Sequence, residues 1–221
     1  MKELLCKVVS LIFENSCLIC NNSAKDFEVC KTCENNFVIR EQNYLKQLNE
    51  LNVLSWGLYD GKLRQGIISL KSGNKKLANY FSKKLVEFWN KVKYENKNYL
   101  VIPVPSHKKR IKERGFCQSS IIAKEFAEAL KFDFSNNIIV RRKETKYMNS
   151  LSNLNERLEN IKNAFEVAGL IPKEKNLLLV DDILTSGSTM CELAKTIYKK
   201  YPDINLTGLT VASGDTYTIP L

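Results

Sequence analysis

The sequence predicts an α/β protein, a parallel sheet flanked by helices, with a small four-cysteine unit near its N-terminal end. Three observations carry that expectation. Strand-sized apolar runs alternate with helical periodicity from Val53 onward. One run, Leu177 to Val180, is apolar at every position, as a central parallel strand covered on both faces requires. Four cysteines fall as two Cys-x-x-Cys pairs before the alternation begins.

The 221 residues, 44% hydrophobic and 26% charged, can bury one ordinary core and leave a small appendage. The expected division is 1–50 for an N-terminal helix, a four-cysteine finger and a helical linker, and 51–221 for the main domain. No apolar run approaches the roughly 18 residues a membrane span needs. Leu4, Leu5, Val8, Val9, Leu11, Ile12 and Phe13 recur at helical spacing among polar residues, with no cleavage site after them. That stretch reads as an amphipathic helix, and the expected setting is cytoplasmic.

Phe37 to Leu51 reads as a helical linker and Val53 to Tyr59 as a strand ending at the turn signal Asp60-Gly61. Lys76 to Val92 is a predicted helix with Leu77, Tyr80, Phe81, Leu85, Phe88 and Trp89 on one face. Further strands are predicted at Tyr99 to Val104, Asn137 to Val140, Leu177 to Val180 and Asn205 to Ala212. The helices predicted between them are Ser119 to Leu130, Asn155 to Ala164 and Ser188 to Lys200. Such alternation builds a parallel sheet with right-handed crossovers.

Cys17-x-x-Cys20 and Cys30-x-x-Cys33 are separated by nine residues. Each knuckle turns two thiolates toward one centre, and two knuckles complete a tetrahedral set suited to a structural Zn²⁺. A pair of redox dithiols is the competing reading, but the Trp, Gly and Pro neighbours of such motifs are missing. Cys6, Cys117 and Cys191 read as small apolar residues.

The net charge of +10 is uneven, since residues 1–50 hold six basic against seven acidic residues. Gly61 to Lys84 contains Lys62, Arg64, Lys71, Lys75, Lys76, Lys83 and Lys84 with no acidic residue. Lys108, Lys109, Arg110, Lys112 and Arg114 form a second cluster, and Arg141, Arg142, Lys143 and Lys146 a third. Clusters of this kind attract polyphosphate or nucleic acid. A solvated lysine-rich surface is the plainer alternative for the first. Lys71, Lys75, Lys76, Lys83 and Lys84 are the candidates for binding single-stranded DNA by charge, with Tyr80, Phe81 or Phe116 as candidate stacking platforms.

The most specific segment is LLLVDDILTSGSTM, Leu177 to Met190. A buried strand ends in Asp181 and Asp182, and Thr185, Ser186, Gly187, Ser188 and Thr189 then open a helix. Ligands of open α/β sheets bind at the carboxyl ends of strands, and hydroxyls with free backbone N–H groups at a helix start cradle phosphate. The string resembles the phosphoribosyl pyrophosphate (PRPP) signature of type I phosphoribosyltransferases. That resemblance implies that Thr185 to Thr189 take the 5′-phosphate. It also implies that Asp181 and Asp182, the catalytic candidates, face the ribose diol and help place a Mg²⁺.

A narrower resemblance is carried by Tyr59-Asp60-Gly61, Leu63-Arg64, Leu70-Lys71, Val101 to Pro105, Arg110, Arg114-Gly115-Phe116, Gln118, Arg157, Asn160 and Ala164-Phe165, after the double Cys-x-x-Cys. These are similar to the ComF family of competence proteins. The resemblance implies a pyrophosphate loop of Ser106, His107, Lys108, Lys109 and Arg110, followed by Arg114. His107, the single histidine, reads as a solvated loop residue. The family also implies a part in DNA uptake and natural transformation, with single-stranded DNA and other competence proteins, such as a helicase or translocase, as partners. An active member would be a pentosyltransferase. Cys117 stands where the family has Asn, and Met148 where it has Gln, which leaves the acceptor unnamed. Two further readings are a metabolic phosphoribosyltransferase using a nucleobase or amine, and a zinc-containing nucleic-acid module. The second would set Asp181 and Asp182 against a polyanion without a metal between them.

Overall fold

The computed structural model describes residues 16–24, 28–40, 45–48, 51–94, 98–145 and 153–214. The expected N-terminal helix and Lys146, Met148 and the C-terminal Asp215 to Leu221 lie outside them.

Chain order runs from a short helix α1 (Lys31–Asn35) through strands β1 (Leu45–Leu48) and β2 (Leu51–Leu58) to helices α2 (Gly61–Lys71) and α3 (Lys76–Val92). Strand β3 (Tyr99–Pro103) follows, then α4 (Lys108–Arg114), α5 (Gln118–Leu130), β4 (Asp133–Phe134) and β5 (Ile139–Arg141). The last part is α6 (Leu154–Ile161), β6 (Phe165–Val167), β7 (Asn176–Leu184), α7 (Ser188–Tyr198) and β8 (Leu206–Ser213). Among the described residues the main sheet has six strands, in the order β1-β2-β8-β7-β3-β4. All its neighbours are parallel except β1 and β2, which pair antiparallel at one edge. The fold is therefore mixed α/β with a mostly parallel sheet.

The helices cover both faces, which explains the uninterrupted apolar run of β7. Leu178 and Val180 pack into a core with α2, α3 and α5, while Leu177 and Leu179 pack on the opposite face with α6 and α7. The predicted apolar face of α3 is buried in the first of these cores, where Trp89 meets Tyr99, Phe126 and Phe132 at ring distances of 5.5, 5.6 and 6.2 Å. The four-cysteine unit shares that core: Cys17, Cys30, Cys33 and Phe37 are buried in it. Ion pairs from Lys84 to Glu34 at 2.6 Å and from Lys83 to Glu28 at 3.6 Å tie the unit to α3.

Three local expectations are corrected. The linker over Phe37 to Leu51 is not helical, because Ile39 bridges Gly57 and Leu45–Leu48 is a strand beside β2. Its apolar side chains satisfied a helical period, but the open sheet edge offered hydrogen bonds that settled the backbone. The strand expected at Asn137 to Val140 forms as β5 and pairs antiparallel with β6 in a separate two-stranded ribbon, outside the parallel sheet. The helix expected to reach Ala164 ends at Ile161, where Asn163 takes a left-handed φ of 56° and the chain turns into β6. Three helices went unread, α1, α2 and α4; Gly61 is the first residue of α2, with φ at 51°, so Asp60-Gly61 starts a helix as well as ending a strand. The join is tight, since a Cβ on Gly57 would sit 2.4 Å from Leu63 Cδ2.

Candidate functional site

The carboxyl ends of the central strands open into a cavity of about 510 Å³. Strand β7 supplies the floor. It continues past Val180 through both aspartates to Leu184, paired to β8 as far as Leu184 with Ser213. Asp182 is buried and its Oδ2 lies 3.2 Å from Lys71 Nζ at the C-terminal end of α2. Asp181 points its Oδ1 at the Asp182 backbone N–H, 2.9 Å away. Burial, and then the adjacent Asp182 charge, push the Asp181 carboxyl up to about 8, opposed by that N–H and by Lys71 and Arg141.

The loop after β7 is the predicted cradle. Gly187 takes φ at 76°, a value that suits glycine, and α7 begins at the next residue. Ser186 Oγ and Ser188 Oγ share a hydrogen bond at 2.9 Å, while Thr185 and Thr189 face the cavity. The first N–H groups of α7 therefore open beside two threonine hydroxyls, an arrangement whose chemistry suits an anion.

The segment after β3 forms the opposite wall. Val104, Pro105 and Ser106 line the cavity, and Ser119 Oγ donates to the Val104 carbonyl at 2.6 Å, which holds the loop against α5. The cations expected in a loop are carried mostly on a helix, α4. Arg110 and Arg114 reach the cavity, and Arg114 Nη1 donates to Gln118 Oε1 at 3.2 Å. His107, Lys108 and Lys109 are not among the cavity-lining residues. His107 instead caps α4, its Nδ1 accepting from the Lys109 backbone N–H at 3.3 Å, and the Lys109 side chain pairs with Glu144 at 2.7 Å.

Three further arginines join the wall: Arg64 from α2, Arg141 from β5 and Arg157 from α6. Arg64 and Arg157 stood in the resemblance motif and Arg141 in a basic cluster, but only the fold brings them to one cavity. Arg141 Nη2 donates to Thr145 Oγ1, and Arg110 Nη2 donates to the Thr145 carbonyl at 2.9 Å. Burial, with Arg110 nearby, lowers Arg141 to about 10, against a partial compensation from Asp181.

The five lysines proposed for DNA are divided. Lys71 lines the cavity, Lys83 and Lys84 are in the ion pairs with the cysteine unit, and Lys75 Nζ lies 5.3 Å from the Phe116 ring centroid. Lys76 is exposed. Tyr80, Phe81 and Phe116 are buried, so their rings serve the core instead of an open stacking surface.

The cysteine sulfurs of Cys17, Cys20, Cys30 and Cys33 all lie within 4.8 Å of one another, with Cys20 and Cys30 at 3.7 Å. Zn–S bonds of about 2.3 Å put tetrahedral corners about 3.8 Å apart, so the cluster has the dimensions of a four-thiolate metal site. The Cys30 and Ile19 backbone N–H groups donate to Cys17 Sγ at 3.3 and 3.5 Å. Burial works against the Cys17 thiolate, yet the backbone N–H groups of Cys30, Cys20 and Ile19, with the Cys20 thiol, outweigh it and bring the group to about 6. Cys33 is pushed far upward by burial and by its neighbouring sulfurs, a conflict that a bound cation would relieve. No helix among the described residues is long and apolar enough to cross a membrane.

No family model matches the sequence. The chain is 35% identical over 103 residues to competence protein F of Haemophilus influenzae, a match covering 45% of this chain and 44% of that protein. It is 25% identical over 197 residues to competence protein ComFC of Bacillus subtilis, covering 88% of this chain and 76% of that one. It is 29% identical over 99 residues to DNA utilization protein YhgH of Escherichia coli K12, covering 45% and 43%. The matches to the first and third span less than half of those proteins. Among solved structures, a xanthine-guanine-hypoxanthine phosphoribosyltransferase of Helicobacter pylori aligns with a TM-score of 0.40 at 13% identity, over 66% of this chain and 78% of that one. An adenine phosphoribosyltransferase of Saccharomyces cerevisiae aligns with a TM-score of 0.37 at 16% identity, over 60% and 68%. By sequence, the chain is a relative of the competence proteins F and ComFC.

Proposed function

We propose that the cavity binds PRPP together with Mg²⁺ and that the chain, like the competence proteins it is related to, acts in DNA uptake by handling single-stranded DNA. The observation that carries the reading is the pair Asp181 and Asp182 on the floor of a cavity whose other charged lining residues, among those described, are all cations. A pure anion site has no use for two adjacent carboxylates, and a pure cation site has no use for the arginines. A ligand that brings phosphates, a sugar diol and a divalent metal accounts for both.

In this reading the α7 N-terminus with Thr185 to Thr189 takes the 5′-phosphate, and Ser106, Arg110 and Arg114 face the diphosphate. Asp181 and Asp182 accept from the ribose hydroxyls. Their hard oxygens, with those of the ligand, make a donor set that fits Mg²⁺, which would neutralise diphosphate charge when bound. Zn²⁺ in the Cys17, Cys20, Cys30 and Cys33 cluster is structural, since four thiolates leave no open position. The division into a zinc-bearing 1–50 and a phosphoribosyltransferase-like 51–221, and the cytoplasmic setting, belong to the same proposal.

Calorimetric titration of PRPP with and without Mg²⁺ tests the binding. A search for diphosphate release across nucleobase and amine acceptors then decides whether the chain is also a metabolic pentosyltransferase.

A further inference from the structure

Helix α2 is weak on its own account. Asp60 at its N-cap makes no side-chain cap, Gly61 opens it and Gly66 sits in its middle, so packing has to hold it in place. At about 100° per residue its side chains fall on three stripes. Arg64, Ile68 and Lys71 line the cavity, while Leu63, Ile67 and Leu70 are buried in the core. Gly66 and Ser69 make the third stripe, on the side away from the cavity, and both meet the four-cysteine unit.

The contact is made by the two residues between Cys17 and Cys20. Ser69 Oγ donates to the Leu18 carbonyl at 3.1 Å. Ile19 lies on the bare backbone of Gly66, where a Cβ would come within 3.0 Å of Ile19 Cδ1 and 3.1 Å of Phe81 Cζ. Leu18 and Ile19 are held in turn by their own knuckle. The Leu18 N–H donates to the Glu28 carbonyl at 3.0 Å, the Ile19 N–H to Cys17 Sγ at 3.5 Å and the Asn21 N–H to the Cys17 carbonyl at 2.9 Å. Ser69 stands two residues before Lys71, whose Nζ meets Asp182 Oδ2 at 3.2 Å. The cysteine cluster is therefore joined to the cavity floor through one two-residue turn and the last turn of α2.

We infer that the first Cys-x-x-Cys knuckle positions the cavity: Leu18 and Ile19 hold the end of α2 so that Lys71 meets Asp182, and metal in the cysteine cluster supports PRPP binding through that turn. This rests on the PRPP reading and adds to it two residues that act through Lys71 from behind the helix.

The test is calorimetry of PRPP with Mg²⁺ on the full-length protein. Ile19→Ala should keep its zinc and a cooperative melt, yet lower PRPP affinity about fivefold, less than removal of Lys71 itself. Ile19→Val, which keeps most of the seat on Gly66, should return affinity to within about twofold of the wild type. In a Lys71→Met background Ile19→Ala should cost less than about twofold, because the side chain it positions is gone. Ser69→Ala supplies the same readout where Ile19→Ala does not fold, and Cys17→Ser, which loses the metal, should follow the same pattern. A loss of equal size with and without Lys71, or wild-type affinity in both Ile19→Ala and Ser69→Ala, overturns the inference. Failure of PRPP to bind the wild type overturns the underlying reading instead. In that event thermal melts decide: the coupling between Lys71→Met and Asp182→Asn must be present in the wild type and lost in Ile19→Ala. Coupling that is absent from the wild type, or unchanged by Ile19→Ala, overturns the positioning role.

Discussion

Lys71 Nζ stands 3.2 Å from Asp182 Oδ2, so the last basic residue of α2 neutralises the more buried of the two carboxylates on the cavity floor. The contact joins two motifs more than a hundred residues apart and fixes α2 against the end of β7. Lys71 remains partly exposed, and a phosphate-rich ligand will meet its ammonium on entry. Lys71→Met is expected to lower PRPP affinity about tenfold, in keeping with one charged hydrogen bond at a half-open position. It should also make binding depend more steeply on Mg²⁺, because the resident cation is gone. Calorimetry across a Mg²⁺ series checks both.

Asp181 gives the ligand-free protein a pH dependence. Its folded value of about 8 lies above the ordinary carboxylate value near 4. The protonated form therefore favours the folded state, and this contribution is fully present below about pH 4 and lost as pH rises through about 8. Asp181→Asn removes the titration. The variant should melt at a higher temperature than the wild type near pH 8, and the gap should close toward acid pH. A gap that widens toward acid pH would contradict the assignment.

Metal analysis is expected to find one zinc per chain, and Cys17→Ser or Cys30→Ser should lose it. A structural zinc contributes on the order of 10 kcal/mol to the folding of a small unit. The unit shares a core with α3 through Cys17, Cys33 and Phe37, so amide exchange should rise in residues 16–40 and along α3. Strands β7 and β8 should keep their protection.

Single-stranded DNA should bind without strong sequence preference, and its affinity should fall with salt at roughly −0.7 per phosphate contacted. Lys75→Glu with Lys76→Glu should weaken that binding and flatten the slope while PRPP affinity holds, since neither residue lines the cavity. Arg110→Glu should damage both. Filter binding across a salt series, beside PRPP calorimetry, separates the two effects.

Much of the candidate site's geometry was legible before folding because its core is one contiguous string. Strand, carboxylates, glycine turn and hydroxyl-bearing helix start follow one another from Leu177 to Met190, and local rules place each of them. The cysteine cluster was legible for the same reason. What the sequence withheld was convergence: Arg64, Arg141 and Arg157 come from three elements, and only the ribbon of β5 and β6 carries Arg141 over the cavity. The misread linker has a similar cause. Leu45–Leu48 is a strand because β2 offers it an edge, a tertiary partner that no helical period can register.

The role of the two aspartates is read from a titration of PRPP with Mg²⁺ into the folded Asp181→Asn, Asp182→Asn double variant. The two side chains sit at the carboxyl end of β7 and face the cavity, so the fold should persist and its melt should be cooperative. Loss of two hydrogen bonds to charged groups should lower PRPP affinity by more than about 100-fold. PRPP affinity equal to that of the wild type would rule out Asp181 and Asp182 as PRPP ligands.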